Sequence, residues 1–196
     1  MDAKLLQQRL GVTADGIIGR GTLRALFARL GADVTRSTEL ALSANVHFRT
    51  YGLLDNGLRL SHFLAQLSHE SGGFRYMEEI WGPTEAQKGY EGRKNLGNVV
   101  AGDGFRFKGR GPIQLTGRAN YREYGEALGV DFMNHPEIVA MPSIGLWVAC
   151  EYWQRRKINI AADRDDVVAV TKAINGGVNG LADRQARLTK VKALVL

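Results

Sequence analysis

The chain has 196 residues, 44% hydrophobic and 23% charged, with a formal net charge of +6. That suffices for one ordinary domain with a real core, and no apolar run approaches the roughly eighteen residues a membrane span needs, so stable membrane insertion is not expected. Cys150 is the single cysteine, which excludes an internal disulfide, and its apolar surroundings read as a buried, inert thiol. The first nine residues, Met1 to Arg9, lack the apolar stretch of a secretory signal, which predicts a protein made in the cytoplasm.

Residues 1–30 read as two short helices around a turn. Leu5, Leu6 and Leu10 line the first; Leu23, Leu26, Phe27 and Leu30 line the second. Between them runs Asp15-Gly16-Ile17-Ile18-Gly19, with Thr22 three residues on. A Leu-Gln helix leading into Asp-Gly-x-x-Gly-x-x-Thr resembles about half of a small peptidoglycan-binding module. A purely structural helical hairpin is the alternative. Residues 31–37 form a short polar run read as a linker, after which Ser37 or Thr38 caps a helix bearing Leu40, Ala44, Phe48 and Tyr51.

The next helix carries the central motif. Leu60, Phe63, Leu64 and Leu67 recur at helical spacing, and His69-Glu70-Ser71-Gly72-Gly73-Phe74 closes the segment. The glycines accept the left-handed conformation that ends helices. Glu70 therefore lies at the negative end of the helix dipole and beside apolar groups. Both favour the protonated carboxyl, the form a general acid requires.

From Trp81 to Gly111 periodicity is lost, yet Trp81, Tyr90, Phe105 and Phe107 argue for an ordered, functional loop. Helices resume with Tyr121, Tyr124 and Leu128, ended by Gly129. A helix from Pro142 through Trp147, Cys150 and Trp153 is apolar nearly all round and is the expected centre of the core. Asp165 or Asp166 caps the helix that ends at Asn175-Gly176-Gly177, and Leu181 to Val195 form the last. No segment alternates like a strand, so the fold class is mainly α.

Positive charge concentrates in two places. Arg106, Lys108, Arg110 and Arg118 occupy 106–118 without an acid, and four basic residues follow from Arg184 to the end. Such patches suit a polyanion: nucleic acid, anionic lipid or an acidic cell-wall polymer. Histidines 47, 62, 69 and 135 show no metal-ligand spacing. No metal or organic cofactor is expected.

Cleaving a glycosidic bond with inversion needs two carboxyl groups about 6.5 to 9.5 Å apart, with water between them. Glu70 is the acid candidate, and Glu78 or Glu79 just beyond the helix is the base. In Gly109-Arg110-Gly111-Pro112-Ile113-Gln114-Leu115-Thr116, alternate positions of an extended run place Gln114 and Thr116 on one face. Their amide and hydroxyl suit a water or a sugar hydroxyl. Asn175 is set at a helix end among glycines that allow close approach.

The ordered set His-Glu-Ser-Gly-Gly-Phe, Gly-Arg-Gly-Pro-Ile-Gln-Leu-Thr-Gly-Arg-x-Asn-Tyr and Ile-Asn-Gly-Gly, spanning residues 69–177, resembles glycoside hydrolase family 19: plant-type chitinases, bacterial relatives and phage endolysins. The resemblance implies a lysozyme-like helical domain of two lobes over residues 38–196, with the cleft between them. It implies Glu70 as acid, Glu79 as base and Thr116 as the residue orienting water. It also implies substrate contacts from Gln114, Asn120 and Asn175, and an Arg184 that pairs with the catalytic carboxylates. Ala119 replaces a sugar-contacting Tyr of some plant members, which weakens the case for long chitin.

The expected function is thus an endolysin-type glycosidase hydrolysing the β-1,4 bonds of peptidoglycan. The expected protein is a monomer that reaches the wall after release by a holin-type partner and needs no nucleic acid. Chitinase activity on N-acetylglucosamine polymers is the alternative. A lytic transglycosylase, using one Glu and no water, and a non-catalytic wall- or nucleic-acid-binding protein with a basic Phe105–Phe107 loop are the remaining readings.

Overall fold

The computed structural model describes all of residues 1–196. It is mainly helical; the only β-pairing is two isolated antiparallel bridges, Glu78 to Arg110 and Arg110 to Leu115. In chain order the helices are α1 (Ala3–Leu10), α2 (Arg20–Arg29), α3 (Val34–Thr50), α4 (Gly57–Glu70), α5 (Glu85–Lys88), α6 (Asp103–Arg106), α7 (Arg118–Leu128), α8 (Pro142–Arg155), α9 (Asn159–Asp163), α10 (Val167–Asn175) and α11 (Leu181–Val195). Two 3-10 turns, Lys94–Leu96 and Pro136–Ala140, precede α6 and α8.

Helix starts follow local chemistry. Asp2, Asp33, Asn56 and Asp166 accept backbone N–H groups at the heads of α1, α3, α4 and α10. Capping by Asp33 corrects the expected cap at Ser37 or Thr38: residues 34–37 lie inside α3, so little of the 31–37 run remains as a connection. At the other pole, Gly129 and Gly176 adopt left-handed conformations that end α7 and α10.

One apolar core runs through the whole chain. Leu6, Leu23, Leu26 and Phe27 of the N-terminal segment belong to the same buried cluster as Phe48, Phe63, Phe74 and Trp153. A relay of aromatic contacts crosses it. Phe27 meets Phe74 edge-on at 5.1 Å and Phe48 at 6.1 Å, Phe48 meets Phe63 at 5.5 Å, and Phe63 meets Trp153 at 5.2 Å. As the sequence pattern predicts, α8 is central, burying Leu146, Val148, Ala149, Cys150, Tyr152 and Trp153.

The Gln and Asp-Gly-x-x-Gly-x-x-Thr residues of the N-terminal segment are spent on its own fold. The buried Gln7 amide donates to Asp15, to the Ile17 carbonyl and to Thr22, and accepts from the Gly16 N–H. This single side chain satisfies the turn that joins α1 to α2, and the pattern is explained without a ligand.

Three cations of the basic 106–118 stretch are likewise held by carboxylates of the fold. Lys108 and Arg110 pair with Glu78, Arg118 holds Asp103 with two bonds of 2.7 and 2.6 Å, and Arg106 caps the carbonyls of Met133 and Asn134. Phe107 is buried. Lys108, Arg110 and Arg118 thus serve the fold, and Arg106 remains exposed without a carboxylate.

Because Phe27 is fully buried against Phe48 and Phe74, Phe27→Ala is expected to cost about 3–5 kcal/mol. Chemical denaturation checks this, and the variant is expected to unfold in one transition, since residues 1–30 share the core.

Candidate active site

Glu70 is the last residue of α4, and the backbone beyond it turns sharply. Gly72, Gly73 and Phe74 have φ of 60°, 79° and 61°, three left-handed residues in succession. Ser71 fixes the turn by donating to the Leu67 carbonyl and accepting the Phe74 N–H. Gly73 lies against the backbone of Leu30 and Gly31, where a Cβ would be 3.1 Å from the Leu30 oxygen. The strained Phe74 is held because its ring fills the core beside Phe27. Every residue of the motif after Glu70 thus sets where that carboxylate points.

The Glu70 carboxylate accepts from Arg184 Nη2 at 2.5 Å. Arg184 is almost wholly buried, and two further donors go to Gln66 Oε1 at 2.5 Å and the Asn179 carbonyl at 3.1 Å. Gln66 lies one turn before Glu70 and donates to Thr171 on α10 at 3.2 Å. Asn175 has its amide bonded to the Asn179 carbonyl and accepts from the Gly177 N–H. It therefore shapes the loop that supplies the Asn179 oxygen to Arg184. His69 bonds Asp183 through Nδ1 at 2.6 Å, which ties the end of α4 to the first turn of α11.

The second carboxylate is resolved by its partners. Glu78 is bound by Arg110 Nε at 2.9 Å and Lys108 Nζ at 3.2 Å. Burial pulls its carboxyl upward, but the hydrogen bonds and charges of Lys108 and Arg110 outweigh this and hold it below the ordinary range. Glu79 has no cationic partner. Its oxygens accept from neutral donors: Gln87 Nε2 at 3.0 Å, the Tyr90 hydroxyl at 3.4 Å and the Gly109 N–H at 3.1 Å. Burial, then the Glu79 charge, raises the Tyr90 phenol above its usual value, so it remains a donor.

Gln114 and Thr116 reach one space, though not along an extended run. Arg110 and Leu115 exchange backbone bonds of 3.1 and 2.9 Å, which closes a tight loop with Gln114 left-handed at φ 55°. The side chains converge on Gly109. A Cβ there would lie 2.7 Å from Gln114 Oε1 and 3.3 Å from both Glu79 Oε2 and Thr116 Oγ1. Thr116 donates to the Gln114 carbonyl at 2.9 Å, so its oxygen is left to accept. Gln114 Oε1, Glu79 Oε2 and Thr116 Oγ1 thus come together beside Gly109, three oxygens able to accept from one donor. Asn120 donates to the Thr116 carbonyl at 2.7 Å and steadies this corner.

Glu70, Gln114, Thr116, Asn120 and Asn175 line one open cleft of about 420 Å³, together with Tyr152 and Arg156. The Arg156 guanidinium lies 4.2 Å from the Tyr152 ring centroid. Sequence reasoning missed Gln66, Gln87, Tyr90, Asn179 and Arg156. Gln66 had a signal in lying four residues before Glu70, on the same helix face; the others are joined only by tertiary contact.

Comparison with known proteins settles the family. The model of class I chitinases, glycoside hydrolase family 19, matches residues 41–170. The chain belongs to glycoside hydrolase family 19. It is therefore an enzyme of the chitinase-like type. A family 19 domain-containing protein of Haemophilus influenzae is 34% identical over 158 residues, covering 66% of this chain and 76% of the relative. Endochitinase EP3 of Arabidopsis thaliana is 36% identical over 140 residues, covering 70% of this chain but 49% of its own length, so this chain spans about half of that relative. Chitinase C of Streptomyces griseus has a similar fold, with TM-score 0.70 at 23% identity over 88% of this chain and 75% of that one. The class IV chitinase of Zea mays gives 0.64 at 18% identity over 91% and 92%.

For this family 19 site, Gly109→Ala tests the convergence at residue 109. The added methyl meets the three oxygens there. Turnover is expected to fall about a hundredfold, as misplacement near 1 Å can cost. Thermal melting is expected to move little, because the closest atom is the end of a flexible side chain.

Proposed function

We propose that this family 19 hydrolase cuts the β-1,4-linked amino-sugar backbone of bacterial peptidoglycan with inversion, Glu70 as general acid and Glu79 as general base. The observation that carries the mechanism is the contrast between the two neighbours. Glu78 is neutralised by Lys108 and Arg110, whereas Glu79 reaches the corner at Gly109 that Thr116 also reaches, and has only neutral donors. A water there gives one hydrogen to the free Thr116 oxygen and the other to Glu79. Its remaining lone pair is then directed at the anomeric carbon while Glu70 protonates the leaving oxygen. Arg184, held by Gln66 and Asn179, fixes the Glu70 carboxyl through Oε1 alone and leaves Oε2 to deliver the proton, and Gln114, Asn120 and Asn175 shape the cleft wall that meets the sugars.

Support for peptidoglycan comes from Arg156. It is the cation lining the cleft, and the peptidoglycan strand carries carboxylates where chitin has none. The enzyme is read as synthesised in the cytoplasm and reaching the wall through a separate membrane-permeabilising partner. Chitin is the second reading, favoured by the match to a plant endochitinase.

Purified peptidoglycan and colloidal chitin, digested in parallel with the wild type and three variants, test both parts. Glu70→Gln and Glu79→Gln are each expected to lose at least about a hundredfold in peptidoglycan turnover. Glu78→Gln is expected to retain turnover within a few-fold while melting earlier, because it strands the buried Arg110 charge. Fragments are expected to carry one added water per cut by mass spectrometry. Anhydro products would overturn the base assignment, and release of sugars from chitin alone would overturn the substrate.

A further inference from the structure

A second depression, larger than the catalytic cleft, lies outside it. It is a groove of about 670 Å³ between the N-terminal segment and α11, lined by Arg9, Arg29, Arg187 and Lys190 over a floor that includes Leu30 and Val191. Its single carboxylate, Asp183, is already shared by Arg187 and His69, each at 2.6 Å. Arg29 and Lys190 are exposed and have no carboxylate partner, and Arg9 donates only to the Leu194 carbonyl. Unlike Lys108, Arg110 and Arg118, which are paired with carboxylates, this surface keeps unspent positive charge beside apolar side chains.

We propose that this groove binds the stem peptide of peptidoglycan, taking its free carboxylates on Arg29, Lys190 and Arg9 and its alanine methyls on Leu30, Val191 and Leu194. Charge and polarity select that occupant. A neutral glycan gains little from four cations on an apolar floor, whereas a short acidic peptide with small aliphatic side chains satisfies both. A volume near 670 Å³ is of the size that takes a ligand of a few residues. The groove reaches Ser68 and Asp183, and the latter bonds His69, the residue before Glu70. Peptide held there lies against the same helix end that presents the acid. The site gives the basic N-terminal segment a role that its internally satisfied turn does not. The proposal rests on the peptidoglycan reading and extends it to a second, non-catalytic contact with the same polymer.

The test is a titration of the full-length protein, followed by amide NMR, with a synthetic stem tetrapeptide acetylated at its N-terminus as it is acylated in the polymer (N-acetyl-L-Ala, γ-linked D-Glu, L-Lys, D-Ala). Parallel arms use the same peptide with its carboxylates amidated, and inorganic phosphate. The free-acid peptide is expected to shift amides around Arg29, Leu30, Lys190 and Leu194, with binding weakened about tenfold or more in Arg29→Glu/Lys190→Glu. The amidated peptide is expected to leave these amides unmoved. Both substituted positions are exposed, so the variant's circular dichroism and melting are expected to match the wild type. Equal peptide binding by variant and wild type, no shift in the groove, or the same shifts with phosphate at equal concentration would each overturn the proposal. Cleavage of peptidoglycan with no peptide shift sinks the groove alone. Peptide binding by a protein that cleaves only chitin leaves the groove standing and sinks the substrate reading.

Discussion

A buried arginine must be answered on every side, and the arrangement around Glu70 follows from that requirement. Arg184 is 2% exposed, and taking its charge out of water is tolerable only because a carboxylate, an amide oxygen and a backbone carbonyl surround it. Those partners come from α4 and from the loop between α10 and α11, and Gln66 passes the connection to Thr171. Removing one member of such a pair costs about 3–5 kcal/mol, because the other charge is stranded. The same contacts that anchor three helices therefore aim the acid.

The second constraint is backbone geometry. The helix end carrying Glu70 is followed by three left-handed residues, one of them Phe74, a conformation a bulky residue keeps only when its surroundings insist. The insistence comes from Phe27 and from the close approach of Gly73 to Leu30 and Gly31. The N-terminal segment is thus part of what holds the acid in position. Its Leu-Gln helix and Asp-Gly turn, suggestive of wall binding on pattern alone, are first of all a brace under the catalytic helix.

Much of this was legible from residues. Apolar spacing located the helices, glycines located their ends, and the run from Pro142 to Trp153 marked the core. Glu70 stood out because a carboxylate closed an apolar face. Where the reading went astray, a local rule met a tertiary competitor. Asp33 took the capping role expected of Ser37 or Thr38, and three of the four cations of the 106–118 stretch were paired with Glu78 and Asp103, which lie outside it. Glu78 and Glu79 were indistinguishable in sequence because charge pairing decides between them, and pairing is set by the path of the loop. Gln114 and Thr116 were grouped for a reason that did not hold, extended backbone, yet a left-handed Gln114 brings both to Gly109.

In the proposed mechanism Glu79 and Thr116 place a water on the face of the sugar opposite Glu70. Proton NMR of the reducing end formed in the first moments of digestion tests it most directly. Cleavage of the β-linked strand is predicted to release the α-anomer before mutarotation mixes the two. Initial appearance of the β-anomer would contradict the assignment of Glu79 as a base acting through water.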